Sequence, residues 1–128
     1  MPRHLLDASA VLAFMSSETG AARVRELLLA GEAAITAVNL AELAGQLIHR
    51  GMAREAAEHL CRSMGLEILP VDAAMAFAAA ALVPSAAPLG LSLGDRICLA
   101  AAGRGGSTAV TADRAWSQQS GVAVEVIR

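Results

Sequence analysis

At 128 residues, 55% of them apolar and with a mean hydropathy of +0.52, the chain has material for one core, too little length for two, and no signature of disorder. The formal charge is −2, and all ten basic residues are arginine; the lack of lysine excludes a P-loop and any phosphate site built on lysine. The longest central run free of charge and proline, 73–83, is well short of the roughly 20 residues a bilayer span needs.

The start, Met1-Pro2-Arg3-His4 with Asp7 close behind, fits no signal peptide, so a soluble cytoplasmic protein with no membrane partner is expected. Residues 3–6 read as a short strand ending at Asp7, and 8–15 as the beginning of a helix. A second helical stretch covers about 19–29 and stops at Gly31. Residues 33–36 read as a strand, 39–50 as a helix stopped by Gly51, and 52–64 as a helix stopped by Gly65. A strand at 66–69 and a helix at 72–82 lead into a Pro/Ser/Gly loop over 83–91. The last third reads as a helix at 92–102 closed by Gly103, a strand at 107–111, a short helix at 113–119 and a strand at 122–127. No repeat and no linker interrupts this order, so residues 1–128 are expected to form a single domain.

Strands alternating with helices predict an α/β fold with a largely parallel sheet covered by helices on both faces. The strands are short and continuously apolar, as buried parallel strands are. Sites in such sheets lie beyond the carboxyl ends of the strands. Cys61 and Cys98 sit in apolar helical patterns and read as buried free thiols; with no Cys-x-x-Cys spacing, a zinc site is not expected. His4, His49 and His59 are scattered and read as surface or structural residues, and Trp116 reads as a packing residue.

Four acids fall in equivalent places. Asp7 follows the apolar pair Leu5-Leu6, and Glu42 lies in the first turn of the helix after the second strand. Asp95 lies in the first turn of the helix opened by Ser92, and Asp113 follows the strand that ends at Thr111. If the strands are parallel, all four share one rim. Each also has a capping explanation: Asp7 and Asp113 as N-caps, Asn39-x-x-Glu42 and Ser92-x-x-Asp95 as capping boxes. Capping alone does not require a shared rim, and three of the chain's four aspartates belong to this set. Carboxylates crowded together repel one another, and a hard divalent ion such as Mg²⁺ or Mn²⁺ relieves that repulsion with oxygen ligands. With those four acids assigned to metal, eight of the twelve acids remain against ten arginines, so the rest of the chain is net basic.

The segments carrying these acids have a family likeness. Leu5-Leu6-Asp7-Ala8-Ser9-Ala10-Val11 resembles the opening motif of PIN domains, and Thr36-Ala37-Val38-Asn39-Leu40-Ala41-Glu42-Leu43 their second. Leu91-Ser92-Leu93-Gly94-Asp95-Arg96-Ile97-Cys98-Leu99-Ala100 resembles the third, and Val110-Thr111-Ala112-Asp113-Arg114-Ala115-Trp116 the fourth. Their order and spacing are similar to those of the VapC toxins of bacterial toxin–antitoxin pairs. The resemblance implies a PIN-like three-layer α/β/α sandwich and a Mg²⁺- or Mn²⁺-dependent endoribonuclease, with Asp7, Glu42, Asp95 and Asp113 as metal ligands. It implies an RNA substrate, a VapB-like antitoxin and a homodimer. Ser9, Asn39 and Thr111 match the polar positions beside the acids and are assigned support of ligands, water or phosphate. Arg96 and Arg114, each beside a site acid, are candidates for phosphate contact.

With aromatic residues at 2% and no tyrosine, base stacking is a poor account of substrate binding, and recognition of backbone and RNA shape is expected. Gly90-Leu91-Ser92-Leu93-Gly94 matches the Gly-x-Ser-x-Gly pattern of serine hydrolases in form only, because every histidine precedes Ser92. Two other readings stay open: a non-catalytic module of the same fold, and a PIN-type nuclease with a housekeeping role and no antitoxin.

Overall fold

The computed structural model describes residues 3–128; Met1 and Pro2, which bear on the leader argument, lie outside the described residues. Five strands, β1 (His4–Leu6), β2 (Ala33–Thr36), β3 (Glu67–Leu69), β4 (Thr108–Thr111) and β5 (Val124–Val126), form one sheet in the order β3-β2-β1-β4-β5. Every pairing is parallel; Leu5 is level with Ala34 on one side and Ala109 on the other. The helices are α1 (Ala8–Met15), α2 (Ala21–Leu29), α3 (Ala37–His49), α4 (Arg54–Ser63), α5 (Ala73–Ala81), α6 (Val83–Ala86) and α7 (Leu93–Gly105), with 3₁₀ turns at Ala87–Leu89 and Arg114–Gln118.

The period-two alternation of the strands divides the core into two apolar layers. Leu6, Ile35 and Val110 face one way and pack with Val11, Val24, Leu43 and Cys61 from α1 to α4. Leu5, Ala34 and Ala109 face the other way and pack with Cys98 and Leu99 of α7 and with Trp116. The result is the expected three-layer α/β/α sandwich. Leu5 and Leu6, neighbours in sequence, are buried on opposite faces at 1% and 0% exposure, each worth roughly 1.5–3 kcal/mol. Cys61 and Cys98 are buried free thiols, and Trp116 is a packing residue at 0% exposure. Among the described residues no helix is long and apolar enough to cross a membrane.

Three local expectations are corrected. Helix α3 begins at Ala37, not Asn39, because the Thr36 hydroxyl accepts from the Asn39 backbone N–H and caps the helix two residues earlier. Glu42 is therefore in the second turn, and Asn39-x-x-Glu42 is not a capping box. Helix α7 continues through Gly103 to Gly105; its stop is Gly106, at φ 66° in the left-handed region, whose N–H returns to the Ala102 carbonyl. The 83–91 segment is not all loop: Pro84 sits in the first turn of α6, where its missing N–H costs nothing.

This topology fixes where a site can form. The chain runs outward from β1 to β2 and β3, then crosses back to place β4 on the other flank of β1. That reversal opens a crevice beyond the carboxyl ends of β1 and β4. Asp7 follows β1, and Thr111 and Asp113 stand at and just beyond the end of β4.

Candidate active site

Asp7 lies at 4% exposure and caps α1, its Oδ1 accepting from the Ala10 N–H at 2.9 Å. Its own N–H is held by the Val110 carbonyl at 3.0 Å, so backbone pairing at the end of the sheet sets its place. Two hydroxyls complete its shell. Thr111 Oγ1 donates to Oδ2 at 2.7 Å, and Ser9 Oγ lies 2.8 Å from Oδ1 and 2.9 Å from Oδ2. Ser9 Oγ also accepts from the Ala112 N–H at 3.0 Å, and Thr111 Oγ1 from the Asp113 N–H at 3.0 Å. Burial pushes the Asp7 carboxyl up to about 6, against the pull of the Thr111, Ala10 and Ser9 hydrogen bonds; the charge on Asp95 adds to the rise.

Glu42 projects from α3 toward the first turn of α7. Asn39 Nδ2 donates both to Glu42 Oε1 and to the Gly94 carbonyl, each at 3.1 Å. Thr36 Oγ1 donates to Asn39 Oδ1 at 2.7 Å and so fixes the face of the amide. Glu42 as a residue is exposed, but the local burial of its carboxyl end raises its pKa; the Asn39 hydrogen bond opposes the rise and Asp95 contributes to it.

Asp95 serves a second purpose. Its Oδ2 accepts from the Ser92 N–H at 2.8 Å while Ser92 Oγ accepts from the Asp95 N–H at 3.2 Å, a complete capping box. Ser92 is thus an exposed helix cap after a loop, with none of the setting of a hydrolase nucleophile. Capping and convergence hold together: Asp7, Glu42 and Asp95 line one pocket of about 200 Å³ with Ser9, Asn39 and Gln46. The fully buried Cys98 thiol beneath is pushed well above its usual range by burial and then by the charges of Asp7, Asp95 and Glu42.

Asp113 stands apart from those three. It is exposed, caps the 3₁₀ turn through Oδ1 and the Ala115 N–H at 2.9 Å, and lines a neighbouring cleft with Ala112, Arg114 and Arg128. Ser9 lines both hollows and joins them. Arg114 therefore stands beside Asp113, in the cleft next to the three-acid pocket, and does not line that pocket itself. Arg96 leans on α5 instead, its Nη1 3.5 Å from the Ala79 carbonyl, and does not line the carboxylate pocket. Thr36 and Gly94 form part of the site's frame without having been singled out from sequence. Thr36-x-x-Asn39 is a cap signature overlooked in favour of Asn39-x-x-Glu42, and a glycine inside a helical pattern is itself a packing signal.

The donor set suits a hard cation. The groups lining the three-acid pocket are oxygen-rich, none of them is basic, and two of its carboxyls are pushed toward neutrality by burial and by a neighbouring charge. A divalent ion removes that conflict and prefers such oxygens. Among the described residues no three His, Cys, Asp or Glu side chains stand close enough together to hold a metal ion as they are placed, so Asp7, Glu42 and Asp95 share a pocket without forming a ready-made ligand cluster.

Comparison with known proteins gives a consistent likeness. A family model described as the PIN domain matches residues 4–122. No curated protein matches the chain significantly. Among solved structures, the chain is similar to one in the DNA-bound VapBC complex from Salmonella typhimurium, with TM-score 0.77 and 19% identity over 100% of both chains. A chain of VapBC2 from Rickettsia felis, bound to a promoter DNA fragment, gives TM-score 0.74 and 20% identity over 98% of each. One from VapBC-5 of Mycobacterium tuberculosis, a member of the VapBC toxin–antitoxin family, gives TM-score 0.61 and 26% identity over 99% of each.

Proposed function

The chain belongs to the PIN domain family of nucleases, and from that premise we propose that it is a Mg²⁺- or Mn²⁺-dependent endoribonuclease, the VapC-like toxin of a toxin–antitoxin pair. The observation that carries the reading is the meeting of Asp7, Glu42 and Asp95 in one pocket with no basic residue in its lining. When bound, the ion supplies Lewis-acid activation of water and offsets charge on the scissile phosphate. The chain's own residues do the rest. Asp7, Glu42 and Asp95 would hold the ion with oxygens from three separate elements, and Asp113, in the adjoining cleft, would be the fourth acid of the set. Thr111 and Ser9 hold Asp7 ionised against its burial, and Asn39 fixes the inner oxygen of Glu42. Arg114, in the cleft that Ser9 shares with the pocket, meets the phosphate backbone.

The VapBC likeness supports a VapB-like antitoxin as partner; a single nuclease domain working in the cytoplasm as a homodimer is part of the same proposal. A non-catalytic module has no need for the acidic set. A nuclease without an antitoxin would differ in its gene neighbourhood rather than in its site. The deciding experiment is incubation of purified protein with RNA in Mn²⁺, in Mg²⁺ and in EDTA, beside the Asp7→Asn variant. Cleavage by the parent that EDTA and the substitution both abolish is expected. Cutting that survives either would remove this site from the reaction.

A further inference from the structure

We propose that Gly94 is a positioning residue for Glu42: the side chain missing at this helical position is the space in which the Glu42 carboxylate lies. The inference rests on the nuclease reading of the pocket for its meaning, and on packing alone for its geometry.

Gly94 is buried in the first turn of α7. A Cβ placed there would stand 1.9 Å from Glu42 Oε1, 2.6 Å from its Cδ and 3.0 Å from Oε2. Those distances are far inside van der Waals contact, so any other residue displaces the carboxylate. The backbone gives no competing reason for glycine. Gly94 is not among the positive-φ glycines, and alanine is the better helix former in an ordinary helical conformation. Two other helical glycines lack this feature: a Cβ on Gly45 meets nothing within 4 Å, and one on Gly103 approaches only Val122, at 3.4 Å.

A second set of contacts aims Glu42 into that space. Asn39 Nδ2 bridges Glu42 Oε1 and the Gly94 carbonyl, and Thr36 Oγ1, bonded to Asn39 Oδ1, prevents the amide from flipping. Thr36 and Asn39 are at 0% and 1% exposure, so the strap between α3 and α7 is rigid. Glu42 itself is a flexible side chain on an exposed face. Given a methyl group at position 94, it swings out to solvent while the strap from Asn39 to the Gly94 carbonyl remains. Gly94→Ala should therefore spare the fold and empty one corner of the pocket of its carboxylate.

The test has two arms. Melting temperatures of the parent, Gly94→Ala, Glu42→Ala and the double variant are measured in EDTA. In the Glu42→Ala background the alanine should raise the midpoint by a few degrees through helix propensity. In the parent it should raise it clearly less or lower it. An equal shift in both backgrounds overturns the proposal; a Gly94→Ala chain that fails to fold beside a folded double variant supports it. In the second arm, calorimetric titration with Mn²⁺ should show affinity at least about tenfold weaker in Gly94→Ala. Adding Glu42→Asp, one methylene shorter, should recover part of that loss. Parental affinity in Gly94→Ala overturns the proposal. A parent that neither binds Mn²⁺ nor cuts RNA refutes the nuclease reading instead, and the metal-free melting cycle still decides where Glu42 sits.

Discussion

Thr111 and Asp7, 104 positions apart in the chain, are joined by a 2.7 Å hydrogen bond from the threonine hydroxyl to a carboxylate at 4% exposure. With Ser9 and the Ala10 N–H, it keeps an ionisable group buried at the carboxyl end of the central strand at an intermediate pKa instead of fully neutral.

Asp7 should make stability depend on pH with a definite sign. Its folded pKa of about 6 lies above the ordinary 3.8, so folding favours the protonated form. That favourable contribution is complete below about pH 4 and is lost as pH rises through 6, a swing of roughly 3 kcal/mol. Asp7→Asn removes the buried charge. In EDTA its midpoint should exceed the parent's at pH 8 and approach it at pH 4, as followed by thermal melts across that range.

Divalent metal should act on the same charge. Mn²⁺ at about a hundred times its dissociation constant should stabilise the parent by roughly 2.7 kcal/mol, and Asp7→Asn by much less. Scanning calorimetry at pH 7.5 checks this, and no midpoint shift at millimolar metal would speak against the pocket as a cation site.

Removing the hydroxyls around Asp7 should weaken activity without removing a ligand. Thr111→Val and Ser9→Ala are each expected to lower RNA cleavage about 10–100-fold. Both take away a hydrogen bond that favours the ionised form, so the acid limb of the pH–rate profile should move to higher pH. An unmoved limb would show that these hydroxyls do not tune the carboxyl.

Asn39→Ala strips the strap between α3 and α7, taking away the acceptor of the Thr36 hydroxyl proton and the side-chain donor to the Gly94 carbonyl. A loss of about 1–3 kcal/mol is expected in urea unfolding, with cleavage impaired through Glu42.

Self-association should be visible in solution. Phe77 is 78% exposed and Leu93 60%, both on the α5–α7 side of the sheet. Light scattering at micromolar concentration should give a dimer, with Phe77→Asp shifting it toward monomer. A monomeric parent would remove the homodimer from the proposal.

Much of this was legible in the residues. Short apolar runs ending at Leu6, Thr36, Leu69 and Thr111 announced parallel strands, and acids at strand ends or early in helices pointed to one rim of the sheet, where Asp7, Glu42 and Asp95 share a pocket. Boundaries depended on chemistry that spacing does not rank: Thr36 and Asn39 both look like caps, and only the backbone path decides between them. The separation of Asp113 into its own cleft follows from the tight 3₁₀ turn it caps, where a longer helix was expected. Arg96 was misleading because a neighbour of Asp95 in sequence is turned about 100° away around the helix. Gly94, a glycine inside a helical pattern, signalled close packing but not its partner, since what it accommodates comes from a residue 52 positions earlier.

The placement of β1 between β2 and β4 also orders events during synthesis. Strand β1 leaves the ribosome before both of its neighbours and meets β2 after about thirty residues, but its other flank waits for Thr108–Thr111. Until then the Asp7 carboxylate has neither its threonine donor nor the backbone amide that holds Ser9. A nascent chain therefore carries the first, second and third acids without a finished pocket. Whatever reactivity the pocket has is deferred until Thr108–Thr111 has been made and has paired with β1.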